Sequence, residues 1–297
     1  MIESLRRLAL LLASLILSVS APLRAETTEE APPSPALWVV GDEDTKIYLF
    51  GTIHALPQGI DWFQGGIANA FAESDTLITE VVNKDDPALA GLMVKLAMLP
   101  DGASLREQLS DEKRAAYDKA LADMNIPPAM LDRFEPWYAA MALSTLPLMK
   151  QGYSPDQGVE SILSKQAAAR EMPHEGLETT EYQFGLFDGL PAEVQQHYLG
   201  EVLEQLPTIS EDITAIIDAW KAGDAEKLAT RMNFGESDPI FTETILIGRN
   251  RVWAEWIAER LEQPGTVFMA VGAGHLAGKG SVQEQLAKQG IGTARAQ

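Results

Sequence analysis

Apolar residues in this chain fall into two patterns, short unbroken runs and longer stretches with apolar positions every three or four residues. Ile47-Tyr48-Leu49-Phe50 belongs to the first: it has no polar side and favours β structure, as a strand buried on both faces does. Gly51 closes it, and His54 follows three residues later. Near the other end, Thr266-Val267-Phe268-Met269-Ala270-Val271 repeats the arrangement and is closed by Gly272-Ala273-Gly274-His275. Residues 36–40 are predicted to pair with the first run as a hairpin through Gly41-Asp42-Glu43-Asp44, and residues 76–82 form a further strand. Between them, residues 65–74 carry Ile67, Ala70 and Phe71 on one helical face. The result is a β-α-β unit, whose right-handed crossover sets the strand at 76–82 parallel to the first, with both ending on one edge.

The second pattern dominates from residue 87 to about 150. Residues 87–99 read as a helix, Ser110 caps another at 111–124, and Pro127-Pro128 opens a long helix interrupted near Pro136 and Pro147. Met130, Phe134, Trp137, Met141 and Met149 form a stripe that reads as core, with a peptide or lipid groove as the other option. Helices follow at 157–171, 191–206, 210–221, 239–261 and 281–288, with an extended segment at 172–178 and an edge strand in the tail after Ile291. The fold class expected is α/β: a mixed, largely parallel central sheet, helices on both faces, a large helical insertion at about 87–150, and the two G-x-x-H strand ends meeting at one edge. Residues 36–297 are expected to make a single domain.

Composition narrows the compartment and the chemistry. Arg6 and Arg7 precede an apolar run at 8–19, and Leu23-Arg24-Ala25 offers a small residue for cleavage, so residues 1–25 read as a signal peptide cut after Ala25. Residues 26–35, polar and proline-bearing, read as a flexible leader. The expected location is periplasmic or secreted, with no stable membrane insertion once the signal is removed. Cysteine is absent, which excludes disulfides, thiolate ligands and a cysteine nucleophile. A formal net charge of −20 makes nucleic acid a poor partner. His174-Glu175 lacks the second histidine of an H-E-x-x-H helix, so His174 is demoted with His197, and no G-x-S-x-G elbow occurs. The glycines between Gly272 and Gly280 match neither phosphate-loop nor dinucleotide spacing.

What remains is His54, His275 and Glu80. Glycine fills 23 of 297 positions, so the shared G-x-x-H ending of two of the four histidines arises by chance about one time in 25. Glu80 interrupts an apolar β-branched strand, where a carboxylate is costly unless a cation, an arginine or backbone amides meet it. Two imidazoles and a carboxylate are a standard ligand set for zinc or a similar divalent ion with a site left for water, which is the chemistry of amide or ester hydrolysis.

Gly51-Thr52-Ile53-His54, the strand with Glu80, Gly158-Val159-Glu160, Gly176-Leu177-Glu178-Thr179, Arg249-Asn250 and Val271-Gly272-Ala273-Gly274-His275-Leu276 together resemble the TraB/GumN family, from about residue 37 to 291. Its animal relatives, the Tiki proteins, are membrane-anchored metalloproteases that need both G-x-x-H histidines and a glutamate, with cobalt or manganese supporting activity. A wider similarity runs to erythromycin-esterase and haem-binding ChaN-like folds. The resemblance implies a metal or catalytic role for His54, Glu80 and His275, with Glu178 and Arg249 as secondary candidates. The chain departs from the usual pattern at Gly248, where an acidic residue is common, and at Glu160, where aspartate is. The resulting expectation is a metal-dependent hydrolase of the metallopeptidase kind, using manganese, cobalt or zinc on a peptide or protein substrate. The alternative is a non-catalytic protein that binds a metal, haem or peptide in signalling or transport.

Overall fold

The two runs that end in G-x-x-H are neighbours in the sheet. The computed structural model describes residues 32–82, 87–232 and 238–297. The expected signal segment and residues 26–31 of the expected leader lie outside these. Chain order is β1 (Leu37–Gly41), β2 (Thr45–Thr52), α1 (Gly65–Glu73), β3 (Thr76–Thr79), α2 (Pro87–Ala97), α3 (Leu105–Gln108), α4 (Asp111–Asp123), α5 (Pro136–Lys150) and α6 (Val159–Ala169). It continues with β4 (His174–Gly176), α7 (Thr180–Asp188), α8 (Ala192–Gln205), α9 (Ile209–Lys221), α10 (Ala225–Met232), α11 (Pro239–Thr242), α12 (Gly248–Arg260), β5 (Gly265–Gly272), α13 (Val282–Lys288) and β6 (Ala294–Arg295).

The strands form one sheet in the order β4-β3-β5-β2-β1-β6. β4, β3, β5 and β2 run parallel, and β1 pairs antiparallel with β2 and β6. Register places Ile47 beside Val267 and Thr52 beside Gly272, so both glycine-closed ends leave the sheet at the same edge. β3 is parallel to β2 as the crossover rule requires, yet β5 lies between them.

Side chains of the central strands divide by the two-residue period of a pleated strand. Tyr48, Phe50, Phe268 and Ala270 face one layer with Ile67 and Phe71 of α1, Leu163 of α6 and Trp220 of α9. Ile47, Leu49, Val267, Met269 and Val271 face the other with Trp253 and Ile257 of α12 and Leu286 of α13. Each large side chain so buried contributes about 1.5–3 kcal/mol of transfer free energy. A separate core joins α4, α5 and α8 through Tyr117, Leu121, Ala140, Leu143, Leu199 and Val202.

Some local expectations need correction. β3 stops at Thr79, so Glu80 stands just past the strand end and not inside it; its carbonyl still accepts from the Glu178 amide at 2.8 Å, and the Thr79 hydroxyl donates to the Val81 carbonyl at 2.8 Å. Pro136 does not interrupt a helix but opens α5 at its first position, where its missing N–H costs nothing. Pro127-Pro128 makes only a 3-10 turn at Pro128–Met130. The methionine and aromatic stripe splits: Trp137 is fully buried, whereas Met130 and Met149 are 62% and 52% exposed. Between α11 and α12 the helix carries a π turn, Glu243–Ile247. Among the described residues, no helix is long and apolar enough to cross a membrane.

Candidate active site

His54 is held from the face of the sheet that carries α6 and α9. The Trp220 indole N–H donates to the Gly51 carbonyl at 2.8 Å, and the Val159 amide donates to the Ile53 carbonyl at 3.0 Å. Gly158 comes so close to the turn that a Cβ there would lie 2.1 Å from the His54 carbonyl oxygen, which explains a glycine at the start of α6. Two residues on, Glu160 Oε1 accepts from His54 Nδ1 at 2.6 Å and from the Thr52 hydroxyl at 2.5 Å. The Glu160 charge, against the opposing effect of burial, pushes the His54 pKa up to about 9. The imidazole itself is open to solvent, its side chain 73% exposed.

His275 is held from the opposite face and is buried. Its Nδ1 lies 2.6 Å from Asn250 Oδ1, and the Asn250 amide nitrogen donates to the Gly280 carbonyl at 2.9 Å. That second bond fixes the amide with its oxygen toward the ring, so Nδ1 carries the proton and Nε2 presents a lone pair. Arg249 Nη1 donates to this Nε2 at 3.1 Å, and the Trp253 ring packs on the imidazole with centroids 4.4 Å apart. Burial, reinforced by the Arg249 charge, keeps the ring neutral and pushes its pKa down to about 3.

Glu80 closes the arrangement. Its Oε1 accepts from the Gly272 amide at 2.7 Å, and its Oε2 accepts from Arg249 Nη2 at 2.6 Å and from the Gln183 amide at 2.9 Å. Burial opposes its ionisation, but the surrounding positive charge and the Gly272 amide hold the carboxyl down at about 2. Glu178 shares the same guanidinium, Nη2 to Oε2 at 2.7 Å and Nε to Oε1 at 2.9 Å, and also accepts from the Trp253 indole at 3.0 Å. Arg249, 8% exposed, is thus a buried two-carboxylate clamp and not the helix-surface ion pair that an arginine usually makes.

The five candidate residues, His54, Glu80, Glu178, Arg249 and His275, therefore lie together at the C-terminal edge of the parallel strands, where open α/β sheets carry their sites. Their meeting point is Gly272: a Cβ built there would lie 3.1 Å from Glu80 Oε1, 3.5 Å from His275 Cδ2 and 3.7 Å from His54 Nε2. His174 is instead tied to the Thr79 hydroxyl at 2.8 Å, and His197 pairs with Glu201 at 3.5 Å on α8. Sequence reasoning gave Gln183 and Trp253 no place, and it quoted Glu160 and Asn250 without a contact. The motif positions two residues after Gly158 and directly after Arg249 were the available signals for the last two; nothing local marks Gln183.

The sequence profile of the TraB/PrgY/gumN family matches residues 36–295. Among curated proteins, the Escherichia coli (strain K12) "Uncharacterized protein YbaP" is 23% identical over 254 residues, covering 85% of this chain and 92% of that protein. A Treponema pallidum (strain Nichols) "Uncharacterized protein" is 19% identical over 279 residues, covering 85% of this chain and 80% of its own length. No solved structure matches the chain.

Proposed function

Because this chain belongs to the TraB/PrgY/gumN family, we propose that it is a metal-dependent hydrolase that cuts peptide bonds, with His54, Glu80 and His275 as its centre. One observation carries this reading: two imidazoles from opposite faces of the sheet and one carboxylate converge on Gly272. Each imidazole has its Nδ1 bound to another side chain, Glu160 or Asn250, the arrangement that orients metal-ligating histidines through their Nε2 atoms. The local charge also suits a cation. Glu80, Glu160 and Glu178 face Arg249 and His54 while His275 is neutral, leaving an excess of negative charge.

Two imidazoles and a carboxylate are donor types that a divalent ion such as manganese, cobalt or zinc takes, and His54, His275 and Glu80 would hold it. Among the described residues no three His, Asp or Glu side chains are grouped as a ready ligand set, with Arg249 occupying Glu80 and His275. When bound, such an ion acidifies a water toward neutrality and polarises a carbonyl. The Glu160 carboxylate favours the protonated His54 ring, so an ion at Nε2 would have to displace that proton. Glu160 stays ionised and holds the ring in place through either state. The Arg249 guanidinium, anchored by Glu178, offers N–H donors beside the centre to an oxyanion forming on the scissile carbonyl. The basic, apolar N-terminal segment supports export, so the peptide or protein substrate is one met in the periplasm or outside the cell.

His54→Ala and His275→Ala are each expected to lose bound metal and to abolish cleavage of a peptide library supplied with manganese, cobalt or zinc, with helical circular dichroism unchanged. Wild-type metal content and turnover in both variants contradicts the reading. A second reading rests on Arg249, which already occupies Glu80 and the His275 Nε2 atom. Such a site suits a protein that holds a metal, haem or peptide without reacting it. Stoichiometric metal loading with no cleavage of any peptide supports that binder.

A further inference from the structure

We infer that Arg249 competes with a divalent cation for Glu80 and His275, and that Glu178 is the partner that keeps the guanidinium when the cation enters. The inference rests on the metal reading above and concerns how that site admits its ion. A cation held by His275 needs the Nε2 lone pair, and Arg249 Nη1 occupies it at 3.1 Å. Each arm of the guanidinium that touches a proposed donor also has an acceptor elsewhere. Nη1 reaches the Ile245 carbonyl at 3.1 Å, and Nη2 reaches Glu178 Oε2 at 2.7 Å as well as Glu80 Oε2 at 2.6 Å. Nε bonds Glu178 alone, at 2.9 and 3.2 Å.

A small withdrawal from His275 and Glu80 therefore leaves three anchors in place: Glu178, the Ile245 carbonyl, and the Trp253 ring 4.7 Å from the guanidinium carbon. Glu178 is itself fixed by the Trp253 indole at 3.0 Å and the Gln183 amide at 2.9 Å. The π turn Glu243–Ile247, directly before α12, contributes the Ile245 carbonyl, and π turns recur at functional sites. Guanidinium and cation repel at such separations, strongly where water is excluded, so removing either Arg249 or Glu178 changes affinity in opposite senses.

The test titrates manganese(II) into chelator-treated wild-type protein, Arg249→Met and Glu178→Gln by calorimetry, with circular dichroism to check folding. Arg249→Met is expected to bind about tenfold tighter, and Glu178→Gln about tenfold weaker because the guanidinium is then left to Glu80. A merely structural clamp weakens binding in both variants, and that result overturns the competition. If Arg249→Met does not fold, undiminished affinity in folded Glu178→Gln overturns it alone. Binding by wild type with no gain in Arg249→Met sinks this inference and spares the metal reading, whereas no binding by any of the three proteins sinks both.

Discussion

His54 and His275 are the same residue in opposite electrostatic settings. Glu160 favours the charged ring of His54, pushing its pKa up to about 9, while burial drives His275 down to about 3. The consequences for metal-free protein have opposite signs. Between pH 6.5 and 3 the unfolded chain protonates His275 and the folded one does not, so stability falls as pH drops through that window. Glu80, held at about 2 when folded, adds to the loss below pH 4.5. The His54 pairing is fully present below pH 6.5 and is lost as pH rises toward 9, with a small effect because the ring is largely solvated. Thermal melts of chelator-treated protein are therefore expected to show His275→Gln with a flatter decline than wild type between pH 6.5 and 4.5. Parallel declines contradict the burial argument. Gly272 tests the meeting point itself. Its backbone conformation is open to any residue (φ −47, ψ 133), so Gly272→Ala is expected to cost under about 1 kcal/mol of stability. Its methyl group enters the space between the three side chains and is expected to lower metal affinity and cleavage about a hundredfold. Unchanged affinity would show that the ion, if held, is held elsewhere.

At the scale of elements, the site depends on two helices that approach the sheet edge from opposite faces. α6 fixes His54 through Val159 and Glu160, and α12 fixes His275 through Arg249, Asn250 and Trp253. Gly158→Ala is the sharp test of the first, because the atom it strikes is backbone and cannot rotate away. It is expected to destabilise the protein by about 2–3 kcal/mol and to lower cleavage, while leaving the α12 side intact. A melt unchanged from wild type contradicts this packing. Much of this level was legible in the sequence, because the signals are local. The buried runs of β2 and β5, the Ile67-Ala70-Phe71 face of α1 and the Ser110 cap are each written within a dozen residues. The end of β3 was not, since Val81 and Val82 continue a β-favouring pattern that no neighbouring strand pairs beyond Thr79. Nor was the fate of Arg249, because the carboxylates that bury it arrive from the segments just after β3 and after β4.

Over the whole molecule, the decisive event is the insertion of β5 between β2 and β3, which brings the second G-x-x-H end beside the first and beside Glu80. Strand order among distant segments is set by tertiary packing, so the sequence could offer only the matching endings of the two strands. The sheet then serves as a rigid base from which each face delivers one imidazole. The direct measurement of that shared centre is the number of manganese(II) ions bound per chain at saturation, counted by calorimetric titration of chelator-treated protein. One ion for wild type and none for either His54→Ala or His275→Ala is the expected result. A full equivalent retained by either variant would mean that the two histidines do not share an ion.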